Sequence, residues 1–170
     1  MNSQFKVLSL SYKKAPLEIR EKLAFDEAGC KALMTQAQDQ RELTEVMVLS
    51  TCNRTEVYYS GSEEQGESLI KLLAIAKGEA SSDVLPYFEW ISDSAEAVRY
   101  LFEVALGLHS QVMGDLQIPN QIKHAYQWSA DVNMAGPFLH RLMHSIFFAN
   151  KRIVQETSYR DGAASTSYAA

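Results

Sequence analysis

The chain has 170 residues, 46% hydrophobic and 22% charged, with a formal net charge of -5. That length buries roughly 70% of the surface of the unfolded form, so a core without disulfides or a structural metal is expected, and the acidic balance excludes a surface that binds nucleic acid throughout while leaving room for a local basic patch. No run approaches the roughly 18 apolar residues of a membrane span, "MNSQFKVLSLSYKK" lacks the pattern of a secretory signal, and Cys30 and Cys52, the two cysteines, have no CxxC spacing, so a cytoplasmic protein with free thiols is expected.

"FKVLSLS" (5 to 11) is compact, apolar and β-rich and stops at Lys13-Lys14-Ala15-Pro16, which reads as a strand followed by a break. Asp26 then suits a helix N-cap, with Cys30, Leu33, Met34 and Ala37 on one apolar stripe. On that stripe Cys30 reads as a small core residue. "EVMVL" (45 to 49) has the continuous apolar run of a central strand, and "TEVYYSG" (55 to 61) alternates as its hairpin partner. Leu69, Leu72, Leu73 and Ala76 mark a second helix, and "PYFEWI" (86 to 91) a fourth strand. The order β-α-β-β-α-β predicts an α+β, ferredoxin-like antiparallel sheet over residues 1–92, with both helices on one face.

From Asp93 the strand signal disappears. Asp93 and Glu96 resemble a capping box ahead of Val98, Leu101, Phe102 and Ala105, a second helix carries Ile118, Ile122, Ala125 and Tyr126, and a third opens at Gly136-Pro137 and carries Leu139, Leu142, Ile146, Ala149 and Ile153. Residues 93–158 are therefore expected to form a helical part stacked on the sheet. Residues 159–170, ending in "GAASTSYAA" without a stop signal, read as the start of a connection to a further domain.

Ser50-Thr51-Cys52-Asn53-Arg54 separates the two central strands. Asn tolerates left-handed backbone angles and the hydroxyls can satisfy turn amides, so a hairpin tip is expected, with Cys52 open to solvent and the Arg54 guanidinium in reach. A neighbouring guanidinium and backbone N–H groups favour a thiolate, which makes Cys52 a candidate nucleophile, against the alternative of a polar turn that happens to hold a cysteine. His140 and His144 have the i, i+4 spacing of a zinc pair, but no HExxH glutamate or third ligand accompanies them, and no metal site is predicted. No G-x-G-x-x-G or P-loop pattern occurs, so no nucleotide site is predicted in these residues. The basic residues Lys13, Lys14, Arg20 and Lys22, and again Arg141, Lys151, Arg152 and Arg160, are interspersed with acids and read as solvated faces.

"VLSTCNRTEVY" resembles the active-site segment of glutamyl-tRNA reductases. "KKAPLEIREKLAF" is similar to that family's Lys-x-Ala-Pro segment, "GLHSQVMGDLQIPNQIKHAY" to its Gly-Leu-x-Ser through Gly-Glu-Pro-Gln-Ile stretch, and "FFANKRIVQET" to its Ala-Lys-Arg segment. The resemblance implies an α+β catalytic domain whose Cys52 thiolate attacks the aminoacyl ester of glutamyl-tRNA. The thioester so formed is then reduced by NADPH to glutamate-1-semialdehyde, the entry to tetrapyrrole synthesis. It further implies an NADPH-binding domain beyond this chain, a homodimer formed through a C-terminal domain, a downstream aminomutase partner and no metal. By matching positions, Thr51, Asn53, Arg54, Ser110, Asp115, Leu116, Gln117 and Gln121 are the implied substrate-binding residues, with Arg54 suited to hold a carboxylate bidentately.

Several positions depart from the family pattern. Tyr100 stands where the family has a catalytic histidine, Glu103 replaces an arginine, His109 takes the place of an acidic residue, and Gly-Glu-Pro-Gln has become Gly114-Asp115-Leu116-Gln117. Tyrosine, with a reference pKa near 10, donates a hydrogen bond but is a poor base at neutral pH. These departures keep a second reading open: a non-catalytic tRNA- or protein-binding module that retains the cysteine as a relic.

Overall fold

The computed structural model describes residues 4–39 and 43–160. Most of the connection expected at 159–170 lies outside the described residues.

β1 (Phe5–Ser11), β2 (Glu45–Ser50), β3 (Arg54–Ser60) and β4 (Glu89–Ile91) form one antiparallel sheet in the order β2-β3-β1-β4. This is the ferredoxin-like order, with β1 and β3 paired at the centre from Phe5 opposite Ser60 to Ser11 opposite Arg54. Successive side chains alternate faces, and both faces are buried. Leu8, Leu10, Val46, Val48, Val57 and Tyr59 pack on one side beneath α2 (Glu27–Ala37) and α3 (Glu63–Ala76). Phe5, Val7, Met47, Leu49 and Tyr58 pack on the other beneath α5 (Ser94–Ala105), α6 (Ile118–Asp131) and α7 (Pro137–Glu156). Val46–Leu49 of β2 is an unbroken apolar run because neither face meets water there, whereas the central β1 and β3 also carry the buried Ser9, Arg54 and Glu56.

The helix starts follow side-chain chemistry. Asp26 accepts the Gly29 N–H, Ser62 and Gln65 form a reciprocal capping box, and Asp93 accepts the Glu96 N–H. α7 is capped from a distance. Its N-cap, Gly136, has no side chain, and the buried Glu45 carboxylate on β2 accepts the Leu139 N–H at 3.1 Å and the Ser60 hydroxyl at 3.0 Å. A Cβ on Gly136 would stand 2.3 Å from that carboxylate oxygen. The free edge of β2 is also closed: the Val46 N–H donates to the Met134 carbonyl at 3.0 Å, and the Ser129 hydroxyl donates to the Val46 carbonyl at 2.5 Å.

Four local expectations are corrected. The fourth strand shortens to Glu89–Ile91 because Leu85–Tyr87 forms a 3-10 turn around Pro86, whose ring nitrogen cannot donate to a ladder. The run expected as a central strand, β2, lies at the edge of the sheet, its Val46–Leu49 segment buried all the same, and short helices α1 (Leu17–Lys22) and α4 (Ser81–Val84) occupy stretches for which no element is predicted. Asn53 is not left-handed; among the described residues Asn133 is the non-glycine residue with positive φ.

Candidate active site

The β2–β3 hairpin closes through its own polar side chains. The Thr51 N–H donates to the Arg54 carbonyl at 2.8 Å and the Asn53 N–H to Thr51 Oγ1 at 3.2 Å, so a hydroxyl does what a positive-φ residue would do in a tighter turn. The Tyr12 N–H, just past β1, donates to the Asn53 carbonyl at 2.9 Å. Held this way, Cys52 is exposed at the tip, whereas Cys30 is sealed under α2, where burial pushes its thiol up to about 12.

Cys52 borders a narrow cleft with about 10 Å³ of free space, the room of one water. Thr51, Asn53 and Arg54 line it from the hairpin, Ser110 and Asp115 from the loop after α5, and Gln117 and Gln121 from the start of α6. No histidine lines it among the described residues. Of the positions implied by resemblance, Leu116 and Tyr100 lie elsewhere: Leu116 lines a neighbouring groove, and Tyr100 sits on α5 behind Arg54.

Arg54 is only 2% exposed, with Glu56 beside it fully buried. Its Nη1 reaches Glu56 Oε2 at 3.5 Å and its Nη2 donates to the His109 carbonyl. Burial works against the guanidinium charge, but Glu56 and the surrounding phenols outweigh it and hold Arg54 above its ordinary value. Glu56 accepts from Ser9 Oγ at 2.6 Å, from Tyr58 Oη at 2.7 Å and from Tyr100 Oη. A buried carboxylate persists only when it is bonded on all sides like this. Burial first, and Glu56 second, drive the Tyr58 and Tyr100 phenols far above the usual tyrosine range, so both stay protonated donors.

The loop between α5 and α6 roofs the cleft. It is pinched at its base, where the Gly114 N–H donates to the Gly107 carbonyl at 3.1 Å and both glycines have positive φ. Gln111 Nε2 donates to Asn53 Oδ1 at 3.0 Å, and His109 lies 2.7 Å from Glu103 and 2.6 Å from Lys13. Glu103 and His109, two of the positions that depart from the family pattern, thus face each other.

Sequence reasoning missed three contributors. Arg20 on α1 donates to the Cys52 carbonyl at 3.2 Å, Gln111 ties the roof to the hairpin, and Ile118 gives the cleft an apolar side. Pro16 with Glu18 in the first turn was the available signal for α1. Nothing local marks the other two. Among the described residues no group of three or more His, Cys, Asp or Glu is placed to hold a metal, and no helix is long and apolar enough to cross a membrane.

A ferredoxin-like sheet sandwiched by helices, with a solvent-facing thiol at the mouth of a polar cleft, defines an α+β domain built around a presented cysteine. The profile described as "Glutamyl-tRNAGlu reductase, N-terminal domain" matches residues 8–157. The chain is 58% identical over 170 residues to the glutamyl-tRNA reductase of Cytophaga hutchinsonii, covering 99% of this chain and 40% of that protein. It is 37% identical over 164 residues to that of Chlorobium phaeobacteroides strain BS1, covering 96% and 38%. The solved glutamyl-tRNA reductase from Methanopyrus kandleri superposes with a TM-score of 0.72 at 26% identity, over 91% of this chain and 35% of that one. The chain belongs to the glutamyl-tRNA reductase family and spans about 40% of the length of the curated relatives it matches.

Proposed function

We propose that this chain performs the acyl-transfer step of a glutamyl-tRNA reductase. The Cys52 sulfur attacks the aminoacyl ester of glutamyl-tRNA, a C–S bond forms as the ester C–O bond breaks, and the tRNA leaves with its terminal hydroxyl reprotonated by solvent. The observation that carries this reading is the placement of an exposed Cys52 on the same cleft as Arg54, Ser110, Asp115, Gln117 and Gln121. An aminoacyl ester is already activated, so a thiolate can attack it with no histidine alongside.

The cleft's charges suit the glutamyl group. A guanidinium has five N–H donors, and the contacts to Glu56 and His109 engage two of its nitrogens, which leaves donors for the side-chain carboxylate. Asp115, the acid in the lining, suits the α-ammonium group. The amides of Gln117 and Gln121 and the Ser110 hydroxyl bond the remaining polar atoms. Tyr100 acts as a positioning residue that holds Glu56, and through it Arg54. About 10 Å³ is too little for a glutamyl side chain, so the roof loop gives way as substrate enters.

NADPH, the reductant implied by the family, finds no glycine-rich phosphate cradle among the described residues, and the chemistry assigned to this chain stops at the thioester. The semialdehyde product, the dimer and the aminomutase partner belong to the same reading of the whole protein, whose place is the cytoplasm. The competing relic-cysteine reading draws on the replacements at Tyr100 and Glu103. Incubation with glutamyl-tRNA followed by peptide mass spectrometry separates the two: a glutamyl adduct on Cys52, absent from Cys52→Ser, is expected, and its absence from the unaltered chain refutes the acyl-transfer reading.

A further inference from the structure

The first turn of α6 is a wall shared by two cavities. Gln117, Ile118 and Gln121 face the Cys52 cleft, while Leu116, Pro119 and Lys123 face a groove of about 520 Å³ whose opposite bank is α7. A helix is about 10 Å across, so whatever protrudes from the cleft mouth over this turn arrives in the groove.

The groove has a distinct chemistry. Lys123, Lys151 and Arg160 line it and no carboxylate does, in a chain whose net charge is -5. Neither lysine has an ion-pair partner among the described residues. Leu116 and Val154, 52% and 54% exposed, together with Phe147, add an apolar platform.

Two buried polar atoms on this lining have no hydrogen-bond partner among the described residues, Asn150 Oδ1 and Arg160 Nε. Arg160 is only 8% exposed, anchored through Nη2 to the Ala105 carbonyl at 3.0 Å. An acceptor and a donor are thus built in and left open. Cations beside an aromatic and aliphatic platform are the features that hold single-stranded nucleic acid through phosphates and stacked bases. A protein partner would cover the platform but would have to bring its own acids to neutralise three cations of one sign.

We propose that this groove binds the single-stranded 3′ end of an RNA and seats the nucleotide whose ribose presents its ester to Cys52. The assignment rests on the acyl-transfer reading and adds to it the path of the nucleic acid. Lys123 and Lys151 contact backbone phosphates, the terminal base lies on Leu116 and Phe147, and Asn150 and Arg160 bond its polar groups.

The test is fluorescence anisotropy of the 170-residue chain with two labelled RNA hairpins, one carrying a short single-stranded 3′ overhang and one blunt. Each phosphate contact on a single strand contributes about 0.7 to the slope of log K against log salt, so Lys123→Glu/Lys151→Glu should flatten that slope by about 1.4 and weaken overhang binding by about tenfold or more. Blunt-hairpin binding and the rate at which iodoacetamide alkylates Cys52 should not change, which shows the fold and the hairpin tip intact. Unchanged overhang affinity overturns the assignment and leaves the groove to a protein segment. Equal losses for both hairpins also overturn it, marking a nonspecific charged surface. If Cys52 gains no glutamyl adduct while overhang binding still depends on the two lysines, the acyl-transfer reading fails and the RNA groove stands.

Discussion

Replacing Glu45 with alanine should loosen α7 at its first turn. The carboxylate is 4% exposed and accepts the Leu139 amide and the Ser60 hydroxyl. Truncation leaves both donors buried and unpaired, at about 1 to 3 kcal/mol each, and removes a negative charge from the positive end of a helix, about 0.3 to 2 kcal/mol. Relief from burying a carboxylate returns a few kcal/mol, so a net loss of about 2 to 4 kcal/mol is expected. Gly136→Ala destabilises by about 1 to 3 kcal/mol on its own, because its Cβ would meet the Glu45 Oε1 at 2.3 Å and Cγ at 2.7 Å. In the double variant that space is vacated, so the combined loss should fall short of the sum by about 1 kcal/mol or more. Equilibrium urea unfolding of the four proteins measures this. A Glu45→Ala variant as stable as the parent, or strict additivity, refutes the cap.

Tyr100→Phe removes one donor to the buried Glu56 and should lower stability by about 1 to 2 kcal/mol in urea unfolding, while the rate of Cys52 acylation changes only a few-fold; complete loss of acylation would instead assign Tyr100 to proton transfer. Gly107→Ala places a Cβ 2.8 Å from the Gly114 Cα at a φ of 79°; faster amide hydrogen exchange across 107–117 is expected, and unchanged protection contradicts the pinch. Stability should decline in alkali. Folding holds the Cys30 proton from its ordinary value of 9.0 up to about 12, so above pH 9 the unfolded chain binds fewer protons than the folded one and the Cys30 contribution is lost as pH rises through that window. Cys30→Ala should flatten that part of the urea-midpoint profile, and an unaltered slope rules out Cys30 as its source.

What the sequence reveals depends on whether the deciding contact is local. β1 coincides with "FKVLSLS" and α7 starts at Pro137, because an apolar run between breaks and a proline at the first helical turn are self-contained signals. α3 shows the limit. Its stripe read as Leu69, Leu72, Leu73 and Ala76, whereas the buried face includes Gly66, Ile70 and Ala74 and leaves Ala76 exposed. Gly66 sits against the Tyr59 hydroxyl and the Trp90 ring, and a glycine adds nothing to a hydrophobic period. α1 buries none of its residues, so it has no stripe to read. At the site, Thr51 to Arg54 are contiguous and legible as a turn, while Ser110, Asp115, Gln117 and Gln121 entered through family resemblance. That Arg54 is committed to Glu56 and the His109 carbonyl, and that Arg20 holds the Cys52 carbonyl, arise from segments brought together only by folding.

The closed edge of β2 limits how this chain can associate. With both outward-facing groups of Val46 occupied by Met134 and Ser129, and β4 at the opposite margin only three residues long, each border is a poor template for an incoming strand. Sheet extension across molecules, with the fibrillar growth it invites, is disfavoured at both margins.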